Sequence, residues 1–202
     1  MNGTAPAMGR RVEGGSTAHD SLSVVSVWRA SSDPQVLRDL GDLHEMDEFG
    51  LLLWRAVETE KLAIAARRGS DVVAAALDAL PDRGPSPVRA ALQSFWRTLG
   101  LRWTTYPLRR VRRAQGARTT FAAIRELERG PVLFLSGEPE EVFARCLALP
   151  PAARSQLRQE ASFGRRVIAV ASRALAHEEV DVTFDQLETG MTLLGLIAFE
   201  VA

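Results

Sequence analysis

Hydrophobic positions in the first third of the chain predict one strand followed by helices. A β-branched run at residues 22–28 is typical of a β-strand. Before it, residues 1–20 are rich in Gly, Ala, Ser and Thr without apolar periodicity, which indicates a flexible tail or linker. After it, apolar residues recur at helical spacing between residues 34 and 66 and predict one or two helices.

Two further helices are indicated by signals at their ends. A Ser-Asp pair at residues 70–71 precedes an apolar run, as in a helix with a capped N-terminus. Ser86 and Pro87 open the second helix, since proline is well tolerated at the first helical position, and Gly100 would stop it. Together these segments predict a helical insertion at about residues 34–100.

Strand patterns dominate the rest of the chain. They predict strands at residues 102–106, 119–127, 132–135, 166–172 and 191–199, and helices at residues 140–147 and 151–163. Turn residues at 129–131 predict a hairpin between the second and third of these strands. Because the order is mixed and a helical insertion follows the first strand, the predicted fold class is α+β, a mostly antiparallel sheet flanked by helices.

Composition and charge narrow the functional classes. The 202 residues are 46% hydrophobic and 25% charged, which is typical of an ordinary globular protein. Twenty-five basic residues balance 25 acidic ones, and this zero net charge argues against a protein built around polyanion binding. The arginine-rich stretch at residues 109–118 is therefore predicted to be a solvated loop or a phosphate-facing edge, and nucleic-acid binding is the less favoured alternative.

The cysteine, histidine and apolar residues bear on three further features: disulfides, zinc sites and membrane-spanning segments. Cys146 is the only cysteine, so no disulfide forms within the chain, and the three widely separated histidines give no zinc-ligand spacing. No apolar run approaches the roughly 20 residues needed to span a bilayer, and the N-terminus lacks the apolar core of a signal peptide. We therefore expect a cytoplasmic chain without a metal site that does not itself insert into a membrane.

Three segments of the C-terminal half carry a family pattern. Residues 132–146 are VLFLSGEPEEVFARC, residues 164–171 are GRRVIAVA and residues 192–200 are TLLGLIAFE. In order and spacing they resemble the LFVKGAPE…LxRC, GLRVLAVA and LTFLGLVGLED segments of the nucleotide-binding (N) domain of P-type cation-transporting ATPases. The type II, calcium-pump-like branch is the most similar, and the strand predicted at residues 22–28 lies where that family leaves its phosphorylation motif.

The resemblance implies that residues 21–202 form an N domain, which positions ATP for phosphoryl transfer to an aspartate on another domain. The implied ligands are ATP or ADP, as Mg-ATP in a full-length pump. The implied partners are the phosphorylation and transmembrane domains of a parent pump, at the cytoplasmic face of a membrane. The DKTGT and DGxND motifs of the family are absent from the chain, so it carries no catalytic residue and is not a complete ATPase.

Five positions match or replace nucleotide-binding residues of the family. Arg166 aligns with the strand arginine that reaches the phosphates, and it is the best single candidate because a guanidinium offers two donors to a phosphate. Gly137 aligns with the glycine of KGAPE, while Ser136 replaces the lysine of that motif. Leu108 occupies the position of the adenine-stacking phenylalanine. Asp71 aligns with the aspartate of DPTE, whereas the glutamate of that motif has no counterpart here.

These departures leave two hypotheses about function. Either the domain binds ATP weakly, or it is a degenerate N domain that no longer binds ATP and acts as a structural or interaction module. Trp103 and Tyr106 lie closest in sequence to the lost phenylalanine and are the candidates for an aromatic substitute. Cys146 matches a family cysteine and is predicted to be a buried, inert thiol.

Overall fold

A computed structural model describes residues 22–30, 69–82, 86–98, 106–116 and 118–201 of the chain. A sheet of six strands forms its centre: β1 Leu22–Arg29, β2 Leu108–Arg112, β3 Phe121–Leu127, β4 Gly130–Gly137, β5 Arg166–Ala174 and β6 Thr192–Val201. Its α-helices are α1 Ser70–Ala79, α2 Pro87–Thr98, α3 Pro139–Phe143, α4 Ala153–Ser162 and α5 Phe184–Leu187, with a 3-10 turn at His177–Glu179.

Every strand pairing in this sheet is antiparallel, and the strand order is β1-β6-β5-β4-β3-β2. Strands β2 to β6 are neighbours in both sequence and space, while β1 closes the sheet against β6. Leu127 pairs with Gly130 across the turn between β3 and β4, which confirms the predicted hairpin. The predicted α+β class, an antiparallel sheet flanked by helices, is also confirmed.

Helices cover both faces of the sheet. The α1–α2 face buries residues of the strands against the first two helices: Phe134, Ile168, Val170, Ile197 and Phe199. The α3–α5 face buries the alternate residues: Leu133, Leu135, Val167, Ala169, Ala171 and Leu196. Because side chains alternate between two covered faces, the central strands are apolar at consecutive positions instead of alternating with polar ones.

Two glycines bring α1 into direct contact with β1 and β6. Gly69 has φ +72° and precedes α1, and a Cβ added to it would lie 2.4 Å from Cγ1 of Val27. A Cβ on Gly195 would lie 2.1 Å from the carbonyl oxygen of Trp28 and 3.0 Å from Cγ2 of Val72. The N-cap is Gly69, so the predicted cap at residues 70–71 is wrong, because a left-handed glycine and this close approach set where the helix starts.

The arginine-rich stretch at residues 109–118, which the sequence predicts to be a solvated loop or a phosphate-facing edge, is partly a strand. Residues 108–112 form the edge strand β2, which Pro107 precedes. Tyr106, at the end of the strand predicted at 102–106, is not in a strand, and residues 101–105 lie outside the described ranges. The tail at residues 1–20 and the helical segment at 34–66 also lie outside them.

The helix predicted at residues 140–147 ends at Phe143. Beyond it, the amide of Leu147 donates to the carbonyl of Met191, and the amide of Met191 donates to the carbonyl of Arg145. These strand-like bonds to the segment before β6 replace the helical bonds that would have continued α3.

Arg125 joins the end of α1 to the sheet from within the core. Its side chain is fully buried, and its guanidinium donates to the backbone carbonyls of Asp78, Leu80 and Tyr106. Nη2 of Arg125 also lies 2.6 Å from Oδ1 of Asp82. One charged group thereby satisfies carbonyls at the C-terminal end of α1 that have no partner within the helix.

Asp78 is a buried acid beside Arg125. Oδ1 of Asp78 lies 3.8 Å from Nε of Arg125, and neither carboxylate oxygen has a hydrogen bond from the described residues. Burial raises the pKa of Asp78 to about 7, an effect that the charge of Arg125 opposes and that of Asp82 reinforces. The folded protein therefore holds a proton on Asp78 well above the pH at which an exposed aspartate loses it.

This proton makes folding stability fall as pH rises. Between pH 3.8 and about 7 the folded state binds more protons than the unfolded state, so the free energy of unfolding decreases across this range and the loss persists above it. The loss is on the order of 4 kcal/mol at about 1.4 kcal/mol per pKa unit. Asp78→Asn should remove this slope, which urea unfolding at pH 4, 6 and 8 measures.

The matched control is Asp82→Asn, which removes the exposed partner of Arg125 and leaves Asp78 in place. It should keep the decrease in stability between pH 4 and pH 7. An Asp78→Asn variant whose stability falls with pH as steeply as that of the wild type would contradict the assignment.

Candidate functional site

The strand register places Ser136 in one row of residues that crosses the sheet. The row comprises Phe121 on β3, Ser136 on β4, Val170 on β5, Gly195 on β6 and Arg29 on β1. Paired residues of an antiparallel sheet share a face, and Val170 belongs to the α1–α2 face. Ser136 is therefore flanked by Phe121 and Val170 on that face, where only 3% of Ser136 is exposed.

Arg166 lies on the same face at the start of β5. It is four residues from Val170, so the side-chain alternation is preserved and the separation along the strand is about 13 Å. Arg166 is exposed, and no described residue accepts a hydrogen bond from it or pairs with it. The preceding Arg165 instead forms ion pairs with Glu160 and Glu200. Of the two arginines, Arg166 is the one with donors available to a ligand.

Gly137 is required by a contact within the chain. A Cβ added to it would lie 2.6 Å from Cα of Thr120 and 2.7 Å from the carbonyl oxygen of Thr119. Cβ atoms are essentially never found at such distances, so any other residue would displace the backbone that leads into β3. The close approach of two backbone segments thus explains this glycine without a ligand.

Asp71 forms an ion pair with Arg29, the residue of β1 at the far end of the row. It lies in the first turn of α1, is buried, and has Oδ2 2.7 Å from Nη2 of Arg29. Arg29 is three strands from Ser136, which corresponds to about 14 Å across the sheet. The structure places Asp71 in an ion pair between α1 and β1 and not beside Ser136.

Leu108 lies toward the other end of the sheet. It pairs with Arg125, which pairs with Val132, four residues before Ser136 on β4. Along the strand direction, Leu108 lies on one side of Ser136 and Arg166 lies on the other. The structure therefore does not bring Leu108 and Arg166 together. Tyr106, whose carbonyl accepts from Arg125, lies at the end with Leu108, and Trp103 is outside the described ranges.

Phe121 is an aromatic residue on this face that the sequence analysis does not single out. It lies directly opposite Ser136 in the register of β3 and β4, is half-buried and packs against the α1–α2 core. The signal was present in the predicted hairpin. Once Leu127 is paired with Gly130, counting six residues backward along β3 and six forward along β4 pairs Phe121 with Ser136.

Most arginines of the basic stretch are bound within the protein. Arg109 pairs with Glu126, Arg112 with Glu188 and Arg118 with Asp185, while Arg110 donates to the carbonyls of Val180 and Val182. Among these arginines, only Arg113 has no hydrogen bond or ion pair with a described residue. Because these charges have internal partners, little free positive charge remains there for a nucleic acid backbone.

Glu188 is the buried centre of this arrangement. Its Oε1 lies 2.6 Å from Nη2 of Arg112, and its Oε2 lies 3.6 Å from Nε of Arg145. The side chain of Glu188 is fully buried. Its negative charge therefore compensates the positive charges of two arginines on the α3–α5 face, in a place that water does not reach.

Glu188→Gln should destabilise the protein by about 3 kcal/mol, because two guanidinium groups lose their buried counter-charge. Urea unfolding measures the change. The exposed pair of Arg118 and Asp185 provides the control, and Asp185→Asn should produce no measurable change. Equal stability of Glu188→Gln and the wild type would show that the buried charge contributes nothing to the fold.

Cys146 is half-buried at the end of α3. Its Sγ lies 3.3 Å from the carbonyl oxygen of Val142, and burial raises the pKa of the thiol to about 11. At neutral pH the fraction of reactive thiolate is therefore very small, which supports the interpretation of an inert thiol.

Iodoacetamide at pH 8 should alkylate Cys146 far more slowly in the folded protein than in guanidinium chloride. The physical reason is that unfolding returns the pKa of the thiol to its ordinary value and exposes the sulfur. The measurement is mass spectrometry over time. Alkylation of the folded protein at the rate of a free cysteine peptide would contradict the raised pKa of the thiol.

The comparisons with known proteins give no family. No family model matches the chain, and a search of the curated proteins finds no match to it. Within the described ranges, no helix is long and apolar enough to cross a membrane. In that same part of the chain, no three His, Cys, Asp or Glu side chains are grouped so that they could hold a metal ion.

Proposed function

We propose that the chain is a nucleotide-binding module similar to the N domain of P-type cation-transporting ATPases, and that it binds ATP or ADP weakly. The observation that carries this proposal is Arg166, an exposed guanidinium without a described partner on the face that holds Ser136. The three family-like segments supply β4 with α3, then β5, then β6, which are neighbours in the sheet.

The chemistry at this face suits a phosphate group. A guanidinium donates two parallel hydrogen bonds to phosphate oxygens, and Arg165 is already bound to Glu160 and Glu200. The neutral Ser136 and the exposed Glu138 add no positive charge, so the affinity should be low, with a Kd of about 1 mM. In a parent pump such a module would position Mg-ATP toward an aspartate on the phosphorylation domain.

The second candidate function is a structural or interaction module that has lost nucleotide binding. Two observations favour it. Asp71 is neutralised by Arg29, and Gly137 is explained by its contact with Thr119 and Thr120, so two of the residues that match the family motifs serve the fold itself.

Nucleotide titration of Arg166→Ala decides between the two candidates. ATP should shift NMR resonances near Gly137 and Arg166 in the wild type. Arg166→Ala should weaken binding at least tenfold, because a charge-assisted hydrogen bond is worth about 1.5–3 kcal/mol. Arg158, an exposed arginine of α4 on the other side of the sheet, is the matched control, and Arg158→Ala should bind ATP like the wild type.

Two results would reject the ATP-binding proposal. One is the absence of any shift near Gly137 and Arg166 at 10-fold the expected Kd, or about 10 mM ATP. The other is an equal loss of affinity in Arg166→Ala and Arg158→Ala, which would indicate unspecific attraction between charges.

A further inference from the structure

We propose that Asp78 and Arg125 form a pH-sensitive switch at the C-terminal end of α1. In this switch, loss of the Asp78 proton transfers the Nε donor of Arg125 from the backbone carbonyl of Asp78 to the carboxylate of the same residue. The switch is independent of the proposed nucleotide binding. It also goes beyond the pH dependence of overall stability, because it is a local exchange of hydrogen bonds in protein that stays folded.

Two acceptors on one residue compete for a single donor. Nε of Arg125 carries one hydrogen, and it donates this hydrogen to the backbone carbonyl of Asp78 at 3.0 Å. Oδ1 of Asp78 lies 3.8 Å from the same Nε, and a movement of about 1 Å would bring it to the distance of a charge-assisted hydrogen bond. Neither carboxylate oxygen of Asp78 has a hydrogen-bond partner among the described residues. An ionised Asp78 can therefore gain this donor by a small movement.

The charged groups that act on Asp78 come from three elements. Arg125 on β3 and Arg89 on α2 favour the ionised carboxylate, whereas Asp82, in the connection after α1, opposes it. Strand β4, which also packs against α1, contributes no charged residue. Burial outweighs the two arginines and raises the pKa of Asp78 to about 7, so the ionised fraction rises from about 10% at pH 6 to about 90% at pH 8. Both forms are therefore populated near neutral pH.

The other charged groups on the elements packed against α1 do not face Asp78. Arg29 on β1 pairs with Asp71 in the first turn of α1, at the opposite end of the helix. Arg166 lies at the opposite end of β5 from the row of Arg125. The remaining ones lie in the last turn of α2 or on the α3–α5 face: Arg97, Glu126, Arg173 and Glu200. The protonation of Asp78 is thus governed by its burial and by three charges.

The exchange at Nε affects more than the end of α1. The guanidinium of Arg125 is planar and rigid, and it also donates to the carbonyls of Leu80 and Tyr106. When Nε moves to the carboxylate, the backbone carbonyl of Asp78 loses its partner and the other two bonds must adjust. Loss of one proton therefore loosens the last turn of α1 and shifts the segment that leads into β2.

NMR of the wild-type chain between pH 5 and pH 9 tests the switch. Three resonances should titrate with one midpoint near pH 7: the carboxyl carbon of Asp78, the Nε of Arg125 and the amide nitrogen of Ala79, which senses the hydrogen bond on the carbonyl before it. In Asp78→Asn the side chain stays neutral, so the resonances of Arg125 and Ala79 should remain constant over the same range.

Two variants serve as controls. Asp82→Asn should move the common midpoint to lower pH, because the negative charge of Asp82 raises the pKa of Asp78. Glu126→Gln changes the residue next to Arg125 on the opposite face of the sheet, where Glu126 binds Arg109. This substitution should leave the midpoint unchanged.

Two results in the wild type would overturn the proposal, and neither requires a variant to fold. One is titration of Asp78 near pH 7 while the resonances of Arg125 Nε and the Ala79 amide stay fixed, because the proton would then leave without an exchange of hydrogen bonds. The other is a midpoint for Asp78 at about pH 4, the value of an exposed aspartate.

Discussion

The buried guanidinium of Arg125 is the interaction on which the rest of this structure depends. It lies on β3, next to the edge strand β2, and donates to carbonyls of Asp78 and Leu80 at the end of α1. Without these bonds, the end of the helix would present unsatisfied carbonyls to the core. Arg125 therefore holds α1 across the strands, and the face that carries Ser136 and Arg166 forms beneath it.

The N-terminal end of α1 is held by close packing at two glycines and by an ion pair. Gly195 leaves no side chain between β6 and Val72, and Gly69 lets the chain turn into the helix against Val27. In this position of the helix, Asp71 forms an ion pair with Arg29. On the same face, Arg166 at the start of β5 stays exposed, and no described residue bonds or pairs with it.

The elements that follow from local pattern were predictable from the sequence, and those that depend on distant partners were not. The turn at residues 129–131 and the apolar run of β5 are local signals, and both predictions are confirmed. No strand was predicted at β2 because its arginines suggest a solvated loop or a phosphate-facing edge. The acceptor that stabilises Arg112 is Glu188, 76 residues later in the chain. Leu108 was proposed because it aligns with a family motif, and such an alignment does not reveal the strand register, which places Leu108 four residues along the sheet from Ser136.

The pairing of β1 with β6 has a consequence for how this unit connects to anything attached to it. Leu22 lies opposite Val201, so the chain enters and leaves the sheet at the same corner. Two neighbouring connections place anything attached to them side by side, about one strand spacing, or 5 Å, apart. They also make the fold tolerant of circular permutation, since a short linker between these two strands would join ends that already touch.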